Sequence, residues 1–364
     1  MKVASHSADD ESALALFLEL VRIDSPSGGE QRLARACADW MRSQGLSVDL
    51  EPVDVMGERS TNVWAYTAGD SALDPVLVCA HLDTRWPGIP DVRRGADGWI
   101  ESRNAVPLGA DDKAGVAAVM SAVSTILRRG MRHPPIHVLF TVGEEVGSIG
   151  VRASEPIRFG GRRAVVVDAD GPVGTLVESS YGRAQAQMRF RPGGEARRYA
   201  VWRALQEAAK QIGPGLSAEL VRFDSRDSEW EAAFTVWVSP EIDWRIANAR
   251  CQTWLKEVER NTAPQEVKWD IVYPAYDVRA SSWLHVVKRR IERVRVAPAC
   301  VRMRDGCDAN WLAAMGALPV NIGVGYEFAH SRAERIHAES LEMLSRLLIA
   351  VLAEPEREGS EAHV

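Results

Sequence analysis

Cysteine is sparse in this 364-residue chain. Cys37, Cys79, Cys251, Cys300 and Cys307 are five in number, widely scattered, and form no CxxC pair. That spacing excludes a zinc-finger cluster and speaks against a disulfide framework, so reduced thiols in a cytoplasmic protein are the expectation. Long apolar runs are missing as well. No stretch approaches the roughly 20 residues that span a bilayer. The opening MKVASHSADDESALALFLELV has only a short apolar run, broken by Glu19, so neither a membrane anchor nor a signal peptide is expected. Basic charge is not in excess either. With 44 Lys and Arg against 50 Asp and Glu, the formal net charge is −6, which speaks against a nucleic-acid partner.

What remains is an ordinary globular composition, 46% apolar and 26% charged. The length exceeds what one hydrophobic core usually serves, and two domains are expected. Leu14, Phe17, Leu18 and Val21 fall on one helical face, and 31–44 forms a second amphipathic helix ended by Gly45. Short β-type runs follow at 46–52, 62–66 and 75–80. The last, PVLVCA, is apolar on both faces, as suits a central, mostly parallel strand. A strong helix over 113–130 and buried-looking strands at 136–142 and 164–167 continue an α/β pattern.

From about Ala184 the texture changes. A half-exposed strand at 184–190 is followed by a helix (195–212), two strands (217–223, 232–238), a helix (242–259) and a strand (266–273). This β-α-β-β-α-β order is the ferredoxin-like split unit. A helix at 281–294, an apolar strand at 317–324 and a helix at 341–352 resume the core, and 354–364 reads as a frayed polar tail. The expected fold is therefore α/β: a mostly parallel-sheet catalytic domain (1–183 and 276–364) with an inserted ferredoxin-like lid (184–275).

Five short segments carry the candidate chemistry, most of them just after a strand, where open α/β sheets gather ligands. In Ala80-His81-Leu82-Asp83-Thr84 the alternation of an extended backbone points His81 and Asp83 the same way. Gly109-Ala110-Asp111-Asp112-Lys113 opens the strong helix. Gly143-Glu144-Glu145-Val146-Gly147 and Asp168-Ala169-Asp170-Gly171 each follow a buried strand, and Glu327-Phe328-Ala329-His330 follows the last one. Singly, these read as loop hydrogen bonds, a capped helix, solvated turns and an ordinary histidine. Taken together, two histidines and at least three carboxylates at strand ends suit a pair of divalent ions such as Zn²⁺, Mn²⁺ or Co²⁺. One carboxylate stays off the metal to take a proton, and the Glu144–Glu145 pair offers both roles.

The stretches AHLDT, GADDKAG, TVGEEVGS, VDADGPVG and GCDANWLAAMGALPVNIGVGYEFAHS, in that order, resemble the M20 family of co-catalytic metallopeptidases, in particular its peptidase T-like branch. The resemblance implies one or two divalent transition ions, with His81 and Asp168 on one, Glu145 and His330 on the other, and Asp111 bridging. It implies Glu144 as general base and a second catalytic role for Asp83, which would hold His81. A cis peptide is implied after Asp111, and Asp170 is the competitor for Asp168. Family members use the inserted module as a lid and often a dimer surface, so a homo-oligomer is expected. That module normally carries a histidine just after its first strand. Here 190–194 reads Phe-Arg-Pro-Gly-Gly, with no histidine anywhere from 184 to 273, so either another group such as Arg191, Arg222 or Arg245 takes its place or the reaction needs no such donor.

The expected activity is metal-dependent hydrolysis of a C–N (amide) bond in a small, carboxylate-bearing substrate, such as a short peptide or an N-acyl amino acid. The alternative is an aminohydrolase that replaces the amine of an aromatic amino acid, such as an aminobenzoate, with hydroxyl. Trp86 and Trp311 are candidate pocket walls. Arg304, in the loop 302–308, is a candidate grip for a substrate carboxylate.

Overall fold

The computed structural model describes residues 12–154, 159–226 and 229–354. Most of the signal-peptide question at the amino terminus and nearly all of the polar tail therefore lie outside the described residues. Two compact units emerge. The first holds residues up to Glu178, Ala280–Val301 and Met315 onward; the second holds Ser179–Arg279 and Arg302–Ala314.

The first unit is built on a mixed sheet with a parallel centre. In spatial order seven of its nine strands are Ser47–Val55, Glu58–Thr67, Ile136–Thr141, Val76–His81, Arg163–Ala169, Leu318–Gly323 and Thr175–Ser180, the last of which also pairs with the short strands Tyr276–Asp277 and Ala299–Met303. The middle four run parallel, with His81 level with Thr141, Cys79 with Val166 and Gly323 with Ala169. Antiparallel strands flank them on both sides. All six residues of Val76–His81 are buried, as its unbroken apolar run requires. The helices Ala13–Leu20, Gln31–Ser43, Ala110–Arg128, Ser282–Arg293 and Ala338–Leu352 contribute their apolar faces to the same core. Because four parallel strands end at one edge, the segments after His81, Thr141, Ala169 and Gly323 are delivered to that edge together.

Sequence periodicity missed a small second sheet in this unit. Tyr326–Glu327, Arg335–His337, Trp99–Ser102 and Val92–Arg94 lie side by side in that order, all pairs antiparallel. These strands are two to four residues long, too short to show a period. The helices Ile149–Ala153 and Asp308–Ala314 escaped notice for the same reason.

The glycine four residues into the Asp111 motif has a packing cause. A Cβ on Gly115 would collide with Asp112 Oδ1 and sit 2.5 Å from the Val167 carbonyl oxygen. Gly115→Ala is therefore expected to cost about 1–3 kcal/mol of stability through overpacking. Denaturant melts of the two proteins check this; an unchanged midpoint would show that the helix can slide away from the strand.

The second unit is a four-stranded antiparallel sheet in the order Leu216–Arg226, Glu229–Val238, Gly182–Phe190, Glu266–Tyr273. With the helices Glu195–Lys210 and Trp244–Thr262 between the strands, this is the split β-α-β-β-α-β arrangement. Alternate residues Ala184, Ala186, Met188 and Phe190 of one strand and Trp230, Ala232, Phe234, Val236 and Val238 of its neighbour face Val201, Leu205, Cys251, Trp254 and Leu255 of the helices. Trp254 is packing material: it stands edge-on to Phe234 and donates to the Ala208 carbonyl at 2.8 Å. Residues Arg302–Ala314, assigned on sequence to the catalytic part, cluster with this unit instead. Asn310 explains the attachment, since its amide donates to the Pro274 carbonyl at 2.7 Å and to Ser180 Oγ at 3.1 Å. No helix among the described residues is long and apolar enough to cross a membrane.

Candidate metal centre

At the carboxyl edge of the parallel strands, two groups of ligand-type atoms form around one shared carboxylate. His81, Asp111 and Asp168 make one group; Asp111, Glu145 and His330 make the other. Within each, the candidate atoms lie within 4.8 Å of one another. Asp111 faces both ways: its Oδ1 is 3.1 Å from His81 Nε2 and its Oδ2 is 3.0 Å from His330 Nε2. Asp168 Oδ1 completes the first group at 3.5 Å from His81 Nε2, and Glu145 Oε1 completes the second at 2.7 Å from His330 Nε2. Asp170, the competitor of Asp168, is exposed and belongs to neither group.

The donor set fits divalent ions. His81 Nδ1 lies 3.0 Å from the Asp83 carbonyl oxygen, an acceptor only, so Nδ1 carries a proton and Nε2, on the carboxylate side, is the atom left to hold an ion. The field of the acids is strong. Burial works against a charged His81, yet the charge of Asp168 and contacts with Asp111 hold its pKa well above the usual imidazole range. Contacts with Asp111 and Glu145 push His330 up to about 10. A cluster that favours an added positive charge on either imidazole is one that a cation can fill.

Local backbone accounts for these positions. Gly109 takes a left-handed φ of 71° ahead of the helix, Asp111 and Asp112 interrupt its regular dihedrals, and the Asp111–Asp112 peptide is cis. Asp112, adjacent to the shared carboxylate, plays a supporting part: its Oδ2 accepts from the His81 amide at 3.2 Å and its Oδ1 from Gly115 at 3.1 Å. Asp83 is fully buried and ties three segments together. Its carboxylate accepts from the amides of Glu144 (2.9 Å) and Glu145 (3.1 Å) and from Ser27 Oγ (2.7 Å). Burial alone would raise its pKa; the contacts with His81 and these donors outweigh that and lower it.

Two buried acids that sequence reasoning missed complete the frame. Glu30 accepts from Gly143 at 3.0 Å, from Gly28 at 2.9 Å and from Ser60 Oγ at 2.6 Å, and so fixes the turn that carries Glu144 and Glu145. Glu334 accepts from the amides of Gly109 and Asp111. A lone glutamate on a loop has no sequence signature that separates it from a solvated one.

A cleft beside the centre is lined by Trp86, Pro107, Lys113, Glu145, His330 and Glu334, among others. Trp86 is half exposed there, its indole donating toward the His330 carbonyl at 3.4 Å. Trp311 and Arg304 lie in the second unit. Arg304 is placed 4.3 Å over the Trp237 ring, and Arg302 pairs with Glu241, so both guanidinium groups have partners within that unit. Arg222 is paired with Glu231.

A family model described as Peptidase family M20/M25/M40 matches residues 97–354. The chain belongs to that family. As an M20 protein it is a hydrolase acting on C–N bonds, on an α/β fold with a mostly parallel catalytic sheet. The uncharacterized protein YqjE of Bacillus subtilis (strain 168) is 25% identical over 95% of this chain and 99% of its own length. Among solved structures, the aminopeptidase PepT from Bacillus cereus ATCC 10987 matches with a TM-score of 0.80 and 24% identity, covering 94% of this chain and 98% of that one. The Bacillus subtilis YXEP protein, described as a dinuclear metal binding peptidase of the M20 family, matches with a TM-score of 0.66 and 15% identity over 93% and 96% of the two chains.

Proposed function

We propose that this M20 protein is a two-ion hydrolase of short peptides or N-acyl amino acids, with Glu144 as its general base. The observation that carries the reading is Asp111, whose two oxygens address two separate imidazole–carboxylate groups. His81 and Asp168 would hold one ion, Glu145 and His330 the other, with Asp111 common to both. When bound, such ions supply Lewis acidity and lower the pKa of an attacking water.

The chain's own groups do the rest. Glu144 is half-buried, follows the strand that ends at Thr141 and neighbours the ligand Glu145. Its amide is fixed by Asp83 and its Oε1 accepts from Ser148 Oγ at 3.4 Å. It takes the proton of the attacking water and returns it to the leaving nitrogen, a pair of transfers suited to one carboxylate. Asp83 keeps the proton on His81 Nδ1 and aligns the Glu144–Glu145 turn. Trp86 offers an apolar wall to the substrate side chain.

The names of the YXEP and PepT proteins, a dinuclear metal binding peptidase and an aminopeptidase, support peptide substrates. The half-exposed Trp86 at the cleft favours a second reading, an aminohydrolase of an aromatic amine such as an aminobenzoate. Purified protein loaded with Mn²⁺ or Zn²⁺ is assayed against tripeptides, N-acyl amino acids and aminobenzoates. Turnover of the first two classes is expected. Release of ammonia from an aminobenzoate with inert peptides would replace the peptidase reading by the second.

A further inference from the structure

Glu334 is not among the candidate ligands, yet it touches the turn that presents the shared one. It closes the loop 328–334 between the strands Tyr326–Glu327 and Arg335–His337, whose register pairs Tyr326 with Ile336 and Glu327 with Arg335. The base of that loop is firm: Arg335 donates to Glu327 Oε2 through Nε (2.8 Å) and Nη2 (2.6 Å), and its guanidinium lies 4.2 Å over the Trp99 ring. Inside the loop, Ser331 Oγ donates to the Phe328 carbonyl at 2.7 Å, and the Glu334 amide donates to the Ser331 carbonyl at 3.1 Å. His330 sits within it at a left-handed φ of 61°. From the end of this loop the Glu334 carboxylate, 2% exposed, reaches the start of the Ala110–Arg128 helix. Oε2 accepts from the Gly109 amide at 2.6 Å and Oε1 from the Asp111 amide at 2.9 Å.

We propose that Glu334 is a positioning residue that latches the His330 loop to the Asp111 turn, and that it sets the Asp111–Glu145–His330 ion group more than the other. The proposal rests on the two-ion reading above. Its selectivity comes from where each ligand stands. His81 and Asp168 are held at strand ends that Glu334 does not touch, so in their group only Asp111 feels its loss. In the other group, Asp111 and His330 are both displaced, because the loop and the turn lose their common anchor. The carboxylate is needed as such: two amide N–H donors meet two acceptor oxygens, whereas a carboxamide would set its own N–H against one of them. Partners that orient metal ligands are typically worth 10–100-fold in metal affinity.

The experiment uses the full chain, its Glu334→Gln and Glu334→Asp variants, and His330→Ala as the comparison. Mn²⁺ alone is titrated by equilibrium dialysis, and peptide turnover is followed against free Mn²⁺. The unchanged chain is expected to bind two ions. E334Q is expected to keep the first ion at near its original affinity and to bind the second about 10–100-fold more weakly. At saturating Mn²⁺ its kcat recovers with KM for the peptide unaltered, while His330→Ala stays inactive. Equal weakening of both ions, unchanged affinity for both, or a kcat deficit that Mn²⁺ does not restore would each overturn the proposal. Should E334Q not fold, E334D, which keeps the charge, carries the same comparison. Failure of both to fold would assign Glu334 to the fold and overturn the proposal too. An unchanged chain that binds only one ion would instead remove the two-ion reading, a result distinct from any of these.

Discussion

Asp111→Asn is expected to abolish peptide turnover and to weaken both ions at once, beyond the roughly 10–100-fold typical of a residue that merely orients a ligand. The reason is its double engagement, with Oδ1 toward His81 and Oδ2 toward His330. An amide removes the single negative charge that the two groups share, and replaces one of the two acceptor oxygens by an N–H₂ that cannot hold a cation. Histidine substitutions should behave differently, because each of His81 and His330 belongs to a single group. Metal content after dialysis checks the distinction: one ion lost in each histidine variant, both in Asp111→Asn. Retention of one tight ion in Asp111→Asn would show that the two groups do not depend on a common ligand.

Glu144→Gln is expected to lower kcat by about 10²–10⁴, the contribution of a positioned general base, which is about 3–5 kcal/mol of transition-state stabilisation. Metal content and peptide KM should stay near their original values, since Glu144 belongs to neither ligand group. Gln preserves the shape and can still accept from Ser148 Oγ, so the fold has no cause to change. Equilibrium dialysis and steady-state kinetics on one preparation decide it. A variant that loses an ion along with its activity would make Glu144 a ligand and leave the base to be sought elsewhere.

How far these features could be read in advance depended on how many residues carried each signal. The PVLVCA run marked a central strand because an element covered on both faces has no room for polar side chains, and Val76–His81 is fully buried. The split unit was legible from alternation, with Ala184, Ala186, Met188 and Phe190 inward and their neighbours out. The convergence of His81, Asp111, Glu145, Asp168 and His330 was legible because parallel strands deliver their succeeding loops to one edge. Two- to four-residue strands such as Arg335–His337 leave no period to detect. Glu30 and Glu334 were invisible for a different reason. Apart from Ser60, their partners are backbone amides at Gly28, Gly143, Gly109 and Asp111, and an amide has no letter of its own. Arg304, singled out as a candidate grip for a substrate carboxylate, also lies over the Trp237 ring, a contact between distant positions that no local pattern announces.

The position of Leu318–Gly323, between Arg163–Ala169 and Thr175–Ser180, has a bearing on how the chain is made. A nascent polypeptide that has grown only past Ser180 holds two strands whose facing edges await a partner still unsynthesised. Until residue 323 leaves the ribosome, those edges are open to any extended segment nearby, another growing copy included. Premature termination anywhere before Leu318 thus yields a sticky fragment rather than a smaller working enzyme.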